Sequence, residues 1–492
     1  MNYIELASQF APELILTIGA LAIMMIGLFL ANSQKKVLGY LATIFLAVAS
    51  LVIVCRGIYD IQMEGILADS LTIDPMSQFF KLTFLVVSLI VVIASIKEYD
   101  GHQNQDEYYT LILLGTIGMM VVASAIDIVT MFIGFELASL STYALAGFNK
   151  KDSNSLEAAV KYFIVGALSS TLLLFGLSYI YGMSGGLTNI SELAVFFNSN
   201  PTVLQSPMGV IALMLIVAGF GFKMALVPFH MWAPDTYQGA PTVISALLAA
   251  GSKKMAFVAA FRIFLVAMIA IKIDIAMVFM ILAIITMTLG NVVALSQRSL
   301  KRMLAYSSVA QAGYISMVFV VMSPEALTGG ILYVMSHAFM KTGAFIAVAA
   351  LGYMLLKENS NAKDVDHLDN FAGLGKRSPF LAFSIMIFLF ALAGIPPTAG
   401  FVSKFILFYS VLQGGFLLLV IFAILNSALS LYYYARVVKY MYVLPPSSDE
   451  KLKVPGAYAL AILLAIIGVL AIGIVPEPFV NWAANAANVL GL

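Results

Sequence analysis

Charge is what this sequence most lacks: only 10% of its 492 residues are Lys, Arg, Asp or Glu, against roughly 25% in an ordinary soluble domain. So few charged groups cannot cover a water-facing surface, which excludes a soluble globular enzyme. Cysteine is nearly absent as well. The single Cys55 excludes disulfides, iron–sulfur clusters and thiolate zinc sites together. The four histidines, His102, His230, His337 and His367, lack the paired spacing of a haem or metal site. There is no Walker sequence, and Gly219-x-Gly221 lacks the remaining glycine and the strand context of a dinucleotide fingerprint. A net charge of +1 leaves no electrostatic footprint for nucleic acid. Glu5 and Glu13 stand where a signal peptide would carry its basic residues, so no cleaved leader is expected. The chain is therefore expected to hold no cofactor and no metal, and redox chemistry, if any, belongs to another subunit.

What the sequence has in abundance is apolar length. Hydrophobic residues make up 62% and mean hydropathy is +0.99. Runs such as 459–475 are continuously apolar, unlike the short alternating segments of a membrane barrel, so an all-α polytopic protein in a lipid bilayer is expected. Stretches of about 20 apolar residues predict fourteen helices: 14–31, 38–56, 77–96, 108–125, 128–148, 159–182, 208–228, 242–269, 275–296, 303–322, 327–356, 380–411, 416–442 and 455–475. Sixteen basic residues fall on one set of alternating loops or helix ends: Lys35, Lys36, Lys97, Lys150, Lys151, Arg298, Lys301, Arg302, Lys357, Lys363, Lys376, Arg377, Arg436, Lys439, Lys451 and Lys453. Only Arg56, Lys81 and Lys272 fall on the other. By the positive-inside rule this places both termini outside, in agreement with an even span count.

Seven basic residues remain within or at the edges of helices: Lys161, Lys223, Lys253, Lys254, Arg262, Lys341 and Lys404. The clear mid-helix carboxylate is Glu136. An ionised side chain deep in a bilayer costs several kcal/mol, so each such group faces protein, water or a partner charge. Glu136 alone cannot neutralise them all, which favours an ion pathway over a set of salt bridges that only tie helices together. Two helices are interrupted, one running through Gly219, Gly221 and Lys223 into Pro228, the other carrying Ala393-Gly394-Ile395-Pro396-Pro397 before Lys404. Paired broken helices point to structural repeats around an ion path. His337 and Lys341, spaced i, i+4, share one face, as a further relay step or as a polar stripe. His230, beside Pro228, either passes protons or caps freed carbonyls. Lys253 and Lys254 differ by about 100° around a helix, so one of the two is expected to face the polar axis. The tyrosines Tyr432, Tyr433 and Tyr434 read as an interfacial belt.

The stretch from Lys223 through Pro228-Phe229-His230-Met231-Trp232 to Tyr237-Gln238-Gly239-Ala240-Pro241 resembles a hallmark of subunit N of proton-pumping NADH:quinone oxidoreductase, respiratory complex I. Phe135-Glu136-Leu137, the run from Leu295-Ser296-Gln297 through Lys301-Arg302-Met303-Leu304-Ala305-Tyr306-Ser307-Ser308, and Ala393 to Pro397 through Gly400-Phe401 to Lys404-Phe405 agree with it. The resemblance implies two inverted five-helix repeats, each with a broken helix, over 108–269 and 270–442, with 1–107 as an N-terminal three-helix unit and 443–492 as a C-terminal helix and tail. It implies Glu136 as the carboxylate modulating Lys223, Lys253 as the central transfer lysine with Lys254 as its rival, and Lys404 as the terminal lysine of the outward route. Lys161, His230, His337 and Lys341 are auxiliary candidates for the proton path. Partners implied are the L-, M- and K-type membrane subunits, with NADH or another reduced donor, flavin, iron–sulfur clusters and quinone held elsewhere in the assembly, in an energy-transducing prokaryotic cell membrane. A stand-alone cation/proton antiporter is the competing reading. Related complexes that oxidise a reduced deazaflavin leave the electron donor open.

Overall fold

The computed structural model describes residues 9–58, 63–65, 69–358, 364–446, 448 and 450–491, so Glu5 and Lys363 lie outside the described residues. Thirteen of the described helices are long and apolar enough to cross a membrane. The shorter Pro379–Ala393 and Ala399–Gln413 are separated by only five residues and complete a fourteenth crossing between them.

The helix starts are written in the sequence. Asp74 accepts from Ser77 N at 2.6 Å while Asp74 N donates to Ser77 Oγ at 3.0 Å, a reciprocal cap that starts Pro75–Glu98. Asp127 caps Ile128–Ala146 through Thr130 N, and Ser299 caps Leu300–Ile315 through Arg302 N. With no water in the bilayer core to satisfy backbone groups, helices closed this way are what a chain of this composition must form.

From Gln105–Ser124 onward the crossings run in two groups of five. The first holds Gln105–Ser124, Ile128–Ala146, Ser153–Met183, Pro207–Met224 with Trp232–Gly239, and Thr242–Ala267. The second holds Ile269–Ser296, Leu300–Val321, Pro324–Glu358, Pro379–Ala393 with Ala399–Gln413, and Leu417–Tyr442. The fourth member of each is the broken one. Because five is odd, the second group enters the membrane from the side opposite to the first, and this topology alone makes the two units inverted. Thr242–Ala267 is enclosed by protein along its length, whereas Ile269–Ser296 and Lys36–Gly57 turn most of their surface outward. The outward side chains are large and apolar, Phe29, Ile273 and Val443 among them, as a lipid-facing surface requires.

Several features differ from expectation. The Lys253 span is α-helical over Thr242–Leu247 and Lys253–Arg262, with π-helical turns at Leu248–Ser252 and Ile263–Ala267. The C-terminal Pro476–Asn488 is an amphipathic helix packed on Pro324–Glu358 and Pro75–Glu98, with the Trp482 ring 4.4 Å from Phe79. It escaped a search for apolar runs because only one face is apolar. A two-stranded hairpin joins Met63–Gly65 to Leu71–Ile73. Lys81 is not a loop residue: it is buried in the second turn of Pro75–Glu98 and pairs with Glu13 at 2.7 Å. Tyr433 and Tyr434 are not interfacial either. Leu417–Tyr442 continues two turns beyond them, and both rings are fully buried, while Tyr432 faces outward.

Candidate functional site

Both broken helices place a lysine at the break, in mirror-related ways. Pro207–Met224 ends one residue after Lys223, where Ala225 takes a left-handed conformation at φ 55°. The freed carbonyl of Phe222 is taken by Trp232 Nε1 at 2.9 Å, and Val227 N finds Thr286 Oγ1 at 3.0 Å. Lys223 thus sits at a helix C-terminus, where the peptide dipoles favour a cation. Its Nζ donates to Ser139 Oγ at 2.6 Å and lies 3.9 Å from Glu136 Oε1, which accepts from Ser170 Oγ at 2.6 Å. In the second broken helix, Gly394 closes Pro379–Ala393 at φ +90°, a conformation that L side chains rarely adopt. Lys404, five residues into the next half-helix, folds back and donates to the last carbonyls of the first, Leu392 O at 3.0 Å and Ala393 O at 3.1 Å, and to Ser427 Oγ at 3.0 Å.

Between these ends, Leu300–Ile315 acts as a polar rail. Lys253 Nζ donates to Ser308 O at 2.8 Å and Ser308 Oγ at 3.2 Å. Lys341 Nζ donates to Leu304 O and Ser307 Oγ, both at 2.8 Å. Ser307 also hydrogen-bonds the Tyr434 hydroxyl, Tyr333 donates to Gln311 Oε1, and Gln311 Nε2 reaches Leu392 O at 3.1 Å. Lys253, Lys254, Lys341 and Lys404 are each at most 5% exposed, and among the described residues none of them has a carboxylate within ion-pair distance.

The predicted residues divide accordingly. Lys223, Lys253, Lys341 and Lys404 are buried, with half-buried Glu136 beside Lys223. Lys254 is fully buried beside Lys253, its Nζ unpaired and 5.4 Å from the Phe257 ring centroid. His337 shares the face of Lys341 as predicted, yet neither ring nitrogen has a partner. His230 is buried near Tyr306, its ring 6.4 Å away, and its Nδ1 is unpaired. Lys161 stands apart, exposed in a polar vestibule of about 470 Å³ with Asp235, Arg302 and Asp366. There Asp235 bridges Lys161 at 2.7 Å and Arg302 at 2.8 Å. Partial burial opposes its negative charge, but the two cations outweigh that and hold its carboxyl below the usual Asp value. Arg262 proves to be structural, paired with Asp74 at 2.8 Å.

Sequence reasoning missed the neutral partners Ser139, Ser170, Ser307, Ser308, Gln311, Ser427, Tyr333 and Tyr434. A usable signal lay in Ser307, Ser308 and Gln311 within a single span, where two of them are spaced i, i+4.

The chain is similar over most of its length to several known proteins. Residues 125–430 match the family described as NADH:quinone oxidoreductase/Mrp antiporter, TM. The chain is 56% identical over 489 residues to F(420)H(2) dehydrogenase subunit N of Methanosarcina mazei, covering 98% of both chains. It is 38% identical over 481 residues to NADH-quinone oxidoreductase subunit N of Trichlorobacter lovleyi, covering 97% of this chain and 96% of that one. Among solved structures it resembles a chain of respiratory complex I from Thermus thermophilus (TM-score 0.79, 28% identity, 96% and 99% covered). A chain of the archaeal membrane-bound sulfane sulfur reductase is also similar (TM-score 0.87, 27% identity, 99% and 98% covered). The Mrp complex of Dietzia shares the fold at 20% identity (TM-score 0.86, 99% and 98% covered).

Proposed function

The chain belongs to the NADH:quinone oxidoreductase/Mrp antiporter family of membrane subunits, and on that footing we propose that it is the N-type proton-translocating subunit of a complex I type oxidoreductase. The observation that carries this is the set of buried amines, Lys223, Lys253, Lys341 and Lys404, held by serine hydroxyls and backbone carbonyls, with one carboxylate, Glu136, beside Lys223. Redox chemistry takes place in partner subunits that carry the donor site, flavin, iron–sulfur clusters and quinone-type acceptor. Movement of charge at the Glu136 end shifts Lys223, and the change passes through Lys253 and Lys341 to Lys404, which releases a proton outward. Moving one charge against 100 mV costs about 2.3 kcal/mol, within reach of a single change in charge pairing inside a low-dielectric site. Lys254, His230 and His337 supply further proton-accepting positions, and the Lys161 vestibule collects protons at the basic-rich face, with both termini on the opposite, outer face.

The donor we assign is reduced F420, since the relative with that name shares 56% identity and the NADH-named relative 38%. The test is purification in mild detergent. Co-purification with redox subunits that oxidise reduced F420 supports both assignments; oxidation of NADH instead overturns the donor. Isolation as a free oligomer without redox partners favours a stand-alone antiporter. In the assembled complex, Lys223→Ala and Glu136→Gln should cut proton pumping while leaving assembly intact, and full pumping in both overturns the proposal.

A further inference from the structure

Two buried amines, Lys253 and Lys341, meet serine hydroxyls and backbone carbonyls along one rail, but the link from that rail to Lys404 differs in kind. Ser307 Oγ lies between Lys341 Nζ, at 2.8 Å, and the Tyr434 hydroxyl. Gln311 follows one turn along the same helix as Ser307. Gln311 accepts from Tyr333 through Oε1 and donates through Nε2 to Leu392 O, the same oxygen that receives Lys404 Nζ. Ser307, Gln311, Tyr333, Lys341 and Tyr434 are completely buried, and Lys404 nearly so.

A proton can step along hydroxyls only if the last one has somewhere to send its own. For an N–H bond of the Lys341 ammonium to break as an O–H bond forms at Ser307, the Ser307 proton must pass to the Tyr434 oxygen and the Tyr434 proton must leave for an acceptor beyond it. The next group is an amide. Its oxygen is a very weak base and already takes the Tyr333 hydrogen, and beyond it Leu392 offers a carbonyl with no proton to give. With no acceptor past Tyr434 the relay is blocked, and the proton stays on Lys341.

The far side is charge-sensitive. An ammonium at Lys404 has three N–H groups, matched by Leu392 O, Ala393 O and Ser427 Oγ. The neutral amine has two, so one acceptor is released. Leu392 O is the acceptor that a second donor, Gln311, already holds.

We infer that Gln311 is a gating residue, an amide insulator between the central amines and Lys404 that turns with the charge state of Lys404 through the carbonyl they share. Turning it opens a gap between Tyr434 and Lys404 for a bridging water, so protons cross only when Lys404 has emptied. This rests on the proton-translocating reading above.

The experiment uses the assembled complex in inverted vesicles, with two readouts: pumping per electron pair, and decay of an imposed pH gradient with no electron donor. Gln311→Glu places a group that can take up and return a proton in the insulating position, and should raise the passive leak roughly tenfold with loss of coupling. Tyr333→Phe, nearly isosteric, removes one hydrogen bond on the amide and should raise the leak roughly fivefold. Gln311→Leu should keep the low leak and lose pumping. Parental leak and coupling in both Gln311→Glu and Tyr333→Phe overturn the gate. Lys404→Ala run alongside separates the two claims: if it still pumps, the translocation reading fails; if it does not while the Gln311 and Tyr333 variants behave as the parent, the gate alone fails.

Discussion

The Arg262–Asp74 pair offers the sharpest test of whether buried cations in this fold serve two different ends. Arg262 NH2 donates to Asp74 Oδ2 at 2.8 Å and to Ala123 O at 3.3 Å, its Nε has no partner, and both side chains are under 10% exposed. Asp74→Asn removes the charge but keeps an oxygen able to cap Ser77 N, so the helix start survives. The oxygen that Asn keeps is held by Ser77 N, so its NH2 faces the Arg262 guanidinium and nothing of the ion pair is recovered. Removing one partner of a buried ion pair costs about 3 to 5 kcal/mol, which is the expected loss. The assay is thermal unfolding of the detergent-solubilised complex followed by size-exclusion fluorescence, where the midpoint should fall by several degrees. Pumping per electron pair in the complexes that do assemble should match the parent. Removing the cation as well, Asp74→Asn with Arg262→Leu, should restore the midpoint, because the cap to Ser77 N is kept and no orphaned charge is left. An unchanged midpoint in Asp74→Asn, or lost coupling in fully assembled complex, refutes the division between structural and titrating cations.

Two further outcomes are expected. Gly394→Ala should lower the amount of assembled complex, since forcing an L side chain into φ +90° costs about 1 to 3 kcal/mol at the bend that positions Lys404; normal assembly would remove the glycine from that role. Asp235 is held below the ordinary Asp value of 3.8 by Lys161 and Arg302 despite partial burial. A depressed carboxyl contributes stability that is complete above its unfolded value and lost as pH falls through its folded one. The clamp should therefore hold above about pH 4 and loosen below it, and Asp235→Asn should flatten that acid limb of the thermal midpoint; an identical acid limb in the variant would show that Asp235 is not the group responsible.

How much of this was legible in the sequence depended on how loudly each residue speaks against lipid. A lysine in an apolar run is conspicuous, so Lys223, Lys253, Lys341 and Lys404 were found, as were both breaks, because proline and glycine interrupt a helix wherever it lies. Serine is quiet: at mid-helix it commonly hydrogen-bonds its own backbone, as Ser95 does to Val91 O, and nothing local separates that from Ser308 holding Lys253. Tyr434 was misread for a related reason, since a tyrosine in the last turns of a span looks interfacial until neighbouring helices are seen to bury it. Lys81 looked like a flank because its partner, Glu13, is 68 positions away. Arg262 and Lys253 look alike in sequence and part company only when Asp74 arrives from another helix.

Those neutral partners also account for why amines, rather than ion pairs, fill the row. A carboxylate opposite each lysine would hold the charged form and resist the loss of a proton. A hydroxyl or a carbonyl accepts an N–H from an ammonium and from a neutral amine alike, so the helices stay packed in either state and adjustment is confined to the side-chain hydrogen bonds around the amine. Lys404 illustrates this most fully, with two carbonyls at the end of a half-helix and one serine matching its three hydrogens. Only Lys223 faces a carboxylate, and Glu136 stands 3.9 Å away with its other contact satisfied by Ser170, close enough to bias the amine without capturing it. A side-chain set that tolerates both states along the row and imposes a preference at one end gives a transfer path its direction, because only that end responds to a charge arriving from outside.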